Sequence, residues 1–249
     1  MPYSPYLLPV KETIRSAWDK LYGAKTTFWI AIVISFLIAF GIGLLAGITS
    51  SFSDFLTGLI NLISQLVSML ISMGLLYIGI QRAKNAPINF KQMFYAFNFP
   101  IALRIIGVYA IQFLIFFPLT LLFILIPMII FGTAMGDAIS SGLTLPKVGF
   151  IIWGLIGFII TVYLTLRMVL SMGFVLETGV NSWQAIKMSF TVTKHNEWRL
   201  LLILIFQIAA LIIGAIPLGI GLIWTLPLTL IIYGEVYQRL RVNLNQTGQ

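Results

Sequence analysis

One arginine, Arg167, lies inside an apolar run, where an ionisable group is costly and by default marks a functional position. Two readings of it stand. A long arginine side chain at the inner edge of a span snorkels to the headgroup layer. A buried one binds an anionic headgroup or pairs with a carboxylate, and Glu177 and Glu235 are the nearest candidates by position. Ten residues separate Arg167 from Glu177, which puts them on different faces of one straight helix. A direct pair would need a break, and Gly173 is placed to supply it. Glu177 and Glu235 are expected at the inner ends of two spans, as solvated helix ends or as the lining of a cleft. Arg104 and Arg199 sit where the chain re-enters the apolar phase and complete the set of candidate headgroup or ion-pair residues.

No catalytic chemistry accompanies them. The chain has no cysteine and one histidine, His195, and its carboxylates are scattered, so no metal site and no cofactor are expected. There is no nucleophile elbow, Walker loop, HExxH or close carboxylate pair. A non-enzymatic protein is the expectation.

The elements that hold these residues are read from hydropathy. Hydrophobic residues make up 59% of the 249 and charged ones 9%, against about 25% charged in soluble domains, so lipid rather than water must cover the surface. About 20 apolar residues cross a bilayer. Six such runs, 28–48, 56–80, 101–131, 148–176, 198–215 and 218–238, predict an all-α polytopic membrane bundle forming a single domain over 1–249. The first run follows a charged, helix-like segment too long for a signal-peptide n-region and is read as a retained span. Pro118 and Pro127 are expected to kink or end the third span. A tight turn around Ile216-Pro217-Leu218-Gly219 joins the last two.

Lys and Arg set the orientation. Lys11, Arg15, Lys20 and Lys25 precede the first span. Arg82, Lys84, Lys91 and Arg104 flank the second connection, and Lys187, Lys194 and Arg199 the fourth. Arg239 and Arg241 follow the last span. The opposite loops hold only Lys147, with Asp54 and Asp137. Both termini are therefore expected in the cytoplasm. The net charge of +8 is read as this lipid-facing rim and not as a nucleic-acid surface.

Three segments on that side carry helical amphipathicity. Residues 9–22 place Val10, Ile14, Ala17, Trp18 and Leu21 on one face. Asn89 is placed to cap a helix with Phe90, Met93, Phe94 and Phe97 along one side, and Asn181 or Ser182 one with Trp183, Ile186 and Phe190. With Trp198, the aromatic residues Trp18, Phe90, Phe94, Phe97, Trp183 and Phe190 are the expected interfacial anchors. An interfacial helix followed by two spans, three times over, suggests a threefold hairpin repeat. Ser72-Met73-Gly74 recurs as Ser171-Met172-Gly173. Pro118-Leu-Thr-Leu-Leu122 echoes Pro227-Leu-Thr-Leu-Ile231 in spans three and six, out of step with that repeat.

The stretch from Arg167 through Glu177-Thr178-Gly179, Trp183-Gln184-Ala185, Ser189, Lys194 and Trp198-Arg199 to Pro227 and Tyr233 is the most specific. It resembles a group of bacterial six-span inner-membrane proteins that includes YciC-like proteins and the membrane domain ahead of some glycerophosphodiester phosphodiesterases. In that group an acidic-x-Gly step leads into an Ala-x-x-x-Ser helix, matched here by Ala185 and Ser189. The resemblance implies a bacterial inner-membrane location. It carries over no phosphodiesterase activity, because that domain is missing. The expected partners are membrane lipids, anionic ones first, with a protein partner in the membrane as a further expectation and no nucleic acid. The leading functional expectation is a lipid- or envelope-associated protein. A transporter, or a transporter's membrane subunit handling an apolar or lipid substrate, is the alternative, and a lipid-modifying enzyme the weakest of the three.

Overall fold

The computed structural model describes residues 7–140, 145–216 and 219–246, with side chains except those of 128–147, 150 and 243–246. Among the described residues there are nine α-helices, one 3-10 segment and no strand. They are α1 (Val10–Leu21), α2 (Lys25–Thr49), α3 (Asp54–Ala83), the 3-10 segment Phe90–Phe97, α4 (Phe99–Ser140), α5 (Leu145–Met168), α6 (Ser171–Thr178), α7 (Ser182–Thr193), α8 (Glu197–Ala215) and α9 (Leu222–Gln246). Asp137 and Lys147, and Pro217 with Leu218 of the expected tight turn, lie outside the described side chains or residues.

Five stretches are long and apolar enough to cross a membrane: Lys25–Thr49, Asp54–Ala83, Phe99–Pro127, Ile151–Thr178 and Glu197–Ala215. That makes an all-helical membrane protein of this chain. The sixth run, 218–238, falls in α9, which is not among the five because its second half turns polar from Glu235 onward.

Three hairpins, α2–α3, α4–α5 and α8–α9, run out from one end of the molecule and back. We call that end basal. It also holds α1, the 3-10 segment, α6 and α7. Side-chain burial is concentrated there. In α2 only Phe28 and Ala31 are buried, in the first third of the helix, and in α3 burial starts at Ile71. In α4 the core residues are Ile101, Ile105 and Val108, and in the α5–α6 stretch Leu166 to Leu176. The distal halves of the hairpins present apolar side chains outward.

Backbones approach closely where glycine permits it. A β-carbon on Gly79 of α3 would lie 2.3 Å from the Leu230 carbonyl oxygen, and one on Gly234 of α9 would lie 2.5 Å from that of Gly79. The α3–α9 crossing is thus built on two facing glycines. Pro227 within α9 cannot donate to the carbonyl of Ile223 four residues earlier. The Trp29 indole donates to that carbonyl instead, at 3.0 Å.

The structure departs from the sequence reading at four elements. The segment after Asn89 is a 3-10 helix, not an α-helix, although Asn89 does cap it through a capping box with Gln92. α4 runs unbroken through Pro118 and Pro127. A spanning helix tolerates proline where neighbouring groups serve the freed carbonyls. The fourth span breaks into α5 and α6 at Val169-Leu170, four residues before Gly173. Finally, α1 docks through Thr13, Ala17 and Leu21, while Trp18 points outward. The docked face is rotated because Thr13 returns its hydroxyl to the Pro9 carbonyl at 2.8 Å and so buries without an unmet donor.

Candidate functional site

The break between α5 and α6 is closed by hydroxyls from two other helices. In a continuous helix the Gly173 amide would donate to the Val169 carbonyl. Here the Tyr233 hydroxyl of α9 stands between them, accepting from Gly173 N at 3.0 Å and donating to Val169 O at 3.0 Å. One turn earlier, Ser189 of α7 accepts from Leu170 N at 3.2 Å and donates to Arg167 O at 2.7 Å. Thr193 adds a longer bond to the same carbonyl. A hydroxyl inserted in the i to i−4 ladder is a recognised cause of helix breaks. The Ser189 bonds are buried and the Tyr233 bonds partly so, and the insertion exchanges backbone bonds for hydroxyl bonds and leaves none of these groups unmet.

Arg167 sits at this break, 9% exposed. Its partner is neither Glu177 nor Glu235. Its Nη1 meets Glu197 Oε1 at 3.0 Å, in the first turn of α8. The guanidinium also lies 5.1 Å from the Phe190 ring centroid and 6.0 Å from that of Tyr163. Its Nε is buried without an acceptor among the described residues. The sequence expectation of a pair with Glu177 or Glu235 is therefore corrected. The physical reason is the break: past Leu170 the chain restarts as a separate helix, and Glu177 is carried toward α3 and α9.

Glu177 and Glu235 are not solvated helix ends. Glu177 is met by the Lys84 ammonium and by Arg241 Nη1 at 2.5 Å, and Gln238 donates to it at 3.3 Å. Glu235, only 4% exposed, contacts Lys20 Nζ at 2.5 Å and accepts from Arg239 Nε at 3.3 Å. Arg239 also reaches Glu12 at 3.9 Å. These pairs tie α1, α3 and α6 to α9. Burial first, then the neighbouring Arg241 cation, lowers the pKa of the Lys84 ammonium below its ordinary value.

Three further arginines bind main-chain carbonyls. Arg82 donates to Lys20 O at 2.7 Å, in the last turn of α1, and to Tyr22 O at 2.6 Å, just beyond it. Arg104 donates to Gly179 O at the end of α6 and, through its own carbonyl, accepts from Ser182 Oγ at 2.8 Å. Arg199 donates to Leu8 O at 2.7 Å. At the ends of α1 and α6, Arg82 and Arg104 satisfy orphan carbonyl acceptors and complement the helix dipole. Arg104 and Arg199 are thus bound within the fold. Of the expected anchors, Trp18, Phe94, Phe97, Trp183 and Trp198 are exposed, and Phe90 and Phe190 are half-buried. His195 is exposed in the α7–α8 link, with a left-handed backbone, φ 66°. No group of three metal-ligating side chains occurs among the described residues.

Sequence reasoning missed Glu197, Lys20 and Lys84 as partners and the inserted hydroxyls of Ser189 and Tyr233. Glu197 carried a signal, being an acid beside Trp198-Arg199 at the start of a span. Nothing in the sequence tells that Tyr233 enters another helix.

The break opens on two recesses. One, of about 70 Å³, lies between α5, α8 and α9. The other, of about 210 Å³, lies between α4 and the α5–α6 stretch. Thr165 and Val169 line both.

This arrangement defines a helical membrane protein with an ion-paired basal end and a hydroxyl-stitched break in one span. A family model matches residues 9–243, and the chain belongs to that family, DUF975, described as proteins of unknown function. Neither the curated proteins nor the solved structures contain a match.

Proposed function

We propose that the chain is a non-enzymatic integral protein of a bacterial inner membrane, held and organised by anionic lipid at its cytoplasmic end. The observation that carries this is the division of the basic residues at the basal end. Arg82, Arg104, Arg167, Arg199, Arg239 and Arg241 are bonded within the fold. Lys11, Arg15, Lys25, Lys91, Lys187 and Lys194 have no carboxylate partner among the described residues and stand around the same end. Each is expected to attract an anionic headgroup by about 1 kcal/mol. The amphipathic α1, the 3-10 segment and α7 carry the aromatic anchors at that level, as helices of the membrane interface do.

The same geometry supports a reading of six crossings. Lys20 pairs with Glu235, so the chain is back at the basal end by Glu235 after starting from it. That return is in keeping with an even number of crossings, with α9 as the sixth. Both termini then lie in the cytoplasm, where the positive-inside rule puts this basic end. Each hairpin follows an amphipathic segment, which supports the threefold repeat. The narrower kinship with YciC-like proteins and phosphodiesterase-linked membrane domains belongs to this reading too. The carboxylates support a non-enzymatic role: Glu177, Glu197 and Glu235 are each committed to a cation.

The test is native mass spectrometry of the protein taken gently from its own membrane. Retained anionic phospholipid, lost when Lys187 and Lys194 become Gln, is the expected result. A bare chain, or lipid retained equally in that variant, would defeat the reading. The companion comparison is Lys187→Ala against Arg167→Ala: the first should impair lipid retention more, since Arg167 is already paired with Glu197 within the fold.

A second reading, a transporter or its membrane subunit handling an apolar or lipid substrate, is favoured by one observation. A discontinuous span flanked by recesses is the construction used at transporter substrate sites.

A further inference from the structure

Four helices bring uncharged polar side chains to the two recesses beside the break. Tyr109 and Gln112 come from α4, Thr165 from α5, Gln207 from α8 and Tyr233 from α9. Three of these helices are among the stretches long and apolar enough to cross a membrane. Tyr109 and Gln207 each lie ten residues into their helix, about 15 Å along it, which is half of a roughly 30 Å hydrocarbon core. Lipid offers no hydrogen bonds at that depth, and an unmet amide or hydroxyl there costs several kcal/mol.

Protein groups meet only part of this demand. Gln207 donates its amide N–H to Thr229 O at 3.0 Å, which leaves its carbonyl oxygen. Thr165 donates to Thr161 O at 2.8 Å and keeps its acceptor capacity. Among the described residues the Tyr109 hydroxyl and the Gln112 amide make no hydrogen bond. Donors and acceptors are therefore both on offer. The lining residues of both recesses include no charged side chain, and apart from these five they are apolar.

We propose that the paired recesses at Thr165 and Val169 form a binding site for a neutral lipid whose polar part carries hydroxyl and carbonyl groups, of the acylglycerol class. Complementarity excludes a charged headgroup, since no counter-charge lines the recesses. The larger recess alone exceeds the roughly 150 Å³ that holds a benzene, so it accepts a compact polar head. The acyl chains then lie along the outward faces of the helices that line the recesses, α4, α5 and α8, where Phe113, Ile159 and Ile205 are exposed. The site is separate from the anionic rim and does not require it. Tyr233 lines the smaller recess and its hydroxyl holds the helix break, so occupancy bears directly on the α5–α6 joint.

The experiment uses the full chain in phosphatidylcholine vesicles with a diacylglycerol carrying a photoactivatable diazirine in one acyl chain. Labelled positions are read by mass spectrometry. Labelling is expected near residues 105–116, 165–172 and 203–207, and competition by unlabelled diacylglycerol but not by phosphatidylglycerol. The double variant Gln112→Leu, Gln207→Leu should bind on the order of ten-fold less, as loss of a hydrogen bond to a buried group predicts. Thr165→Val provides a second, milder variant, and unchanged thermal unfolding of each variant shows that the fold persists. Labelling spread evenly over outward residues such as Phe36 and Leu37, or unaffected by either variant, would overturn the proposal. Equal competition by phosphatidylglycerol would overturn the neutral class. Lys187→Gln with Lys194→Gln should leave this labelling intact, so failure here and failure of the rim reading are told apart.

Discussion

The basal and distal ends of this molecule are built on opposite plans. At the basal end, α1, α3, α6, α7 and α9 meet through buried ion pairs, arginine–carbonyl bonds and glycine crossings. At the distal end, Gly41, Gly43, Gly47 and Gly58 have nothing within 4 Å of where a β-carbon would stand, and large apolar side chains such as Phe36, Phe40 and Phe52 are exposed. The difference follows from solvent. Apolar side chains gain nothing from leaving lipid for one another, so association there depends on close packing and polar bonds. This chain concentrates both at one end.

The largest effect separating the two ends should come from Glu235→Gln. It leaves Lys20 facing a neutral group at a buried position and is expected to cost about 3 kcal/mol, the lower end for breaking a buried pair, because Lys20 is partly exposed. Asp54→Asn at the distal end of α3 should change stability by less than about 0.5 kcal/mol. Denaturant titration of the two proteins in the same detergent compares them; equal losses would erase the distinction between ends.

Gly79→Val comes next. The new side chain meets the Leu230 carbonyl, and overpacking of this kind costs about 1–3 kcal/mol or prevents folding. Gly43→Val has open space and should leave the monodisperse yield unchanged. Size-exclusion profiles of the pair decide it, and a damaged Gly43→Val protein would show that the distal half also packs.

Tyr233→Phe removes both hydroxyl bonds at the break and exposes a backbone donor and acceptor to each other at a distance. A loss of about 1–3 kcal/mol is expected, with faster hydrogen exchange confined to residues 169–173. Exchange that stays slow would mean that the helix recloses on its own. The smallest effect is Trp29→Phe, which orphans the Ile223 carbonyl beside Pro227 and should cost about 1 kcal/mol in the same titration.

Long apolar runs, their approximate ends and the one-sided distribution of Lys and Arg were legible without coordinates. Hydropathy depends on local composition alone, and the bilayer imposes the helix. Asn89 and Asn181 were likewise legible as caps, since a cap bonds an amide two or three residues away. The site was only half legible. Arg167 stood out by being charged within a span. Its partner did not, because that depended on where the fourth span breaks, and the break depends on Tyr233, 60 residues from Gly173 in sequence.

What the sequence determined by itself was a helical membrane protein with a basic side and one arginine in an apolar run, since these follow from composition and spacing along the chain. Which helices cross at Gly79 and Gly234, which carboxylate holds Arg167, and which polar groups share a recess were decided by tertiary structure alone. Those contacts join residues far apart in the chain, and a hydroxyl or a missing β-carbon has meaning only once another backbone has been brought against it.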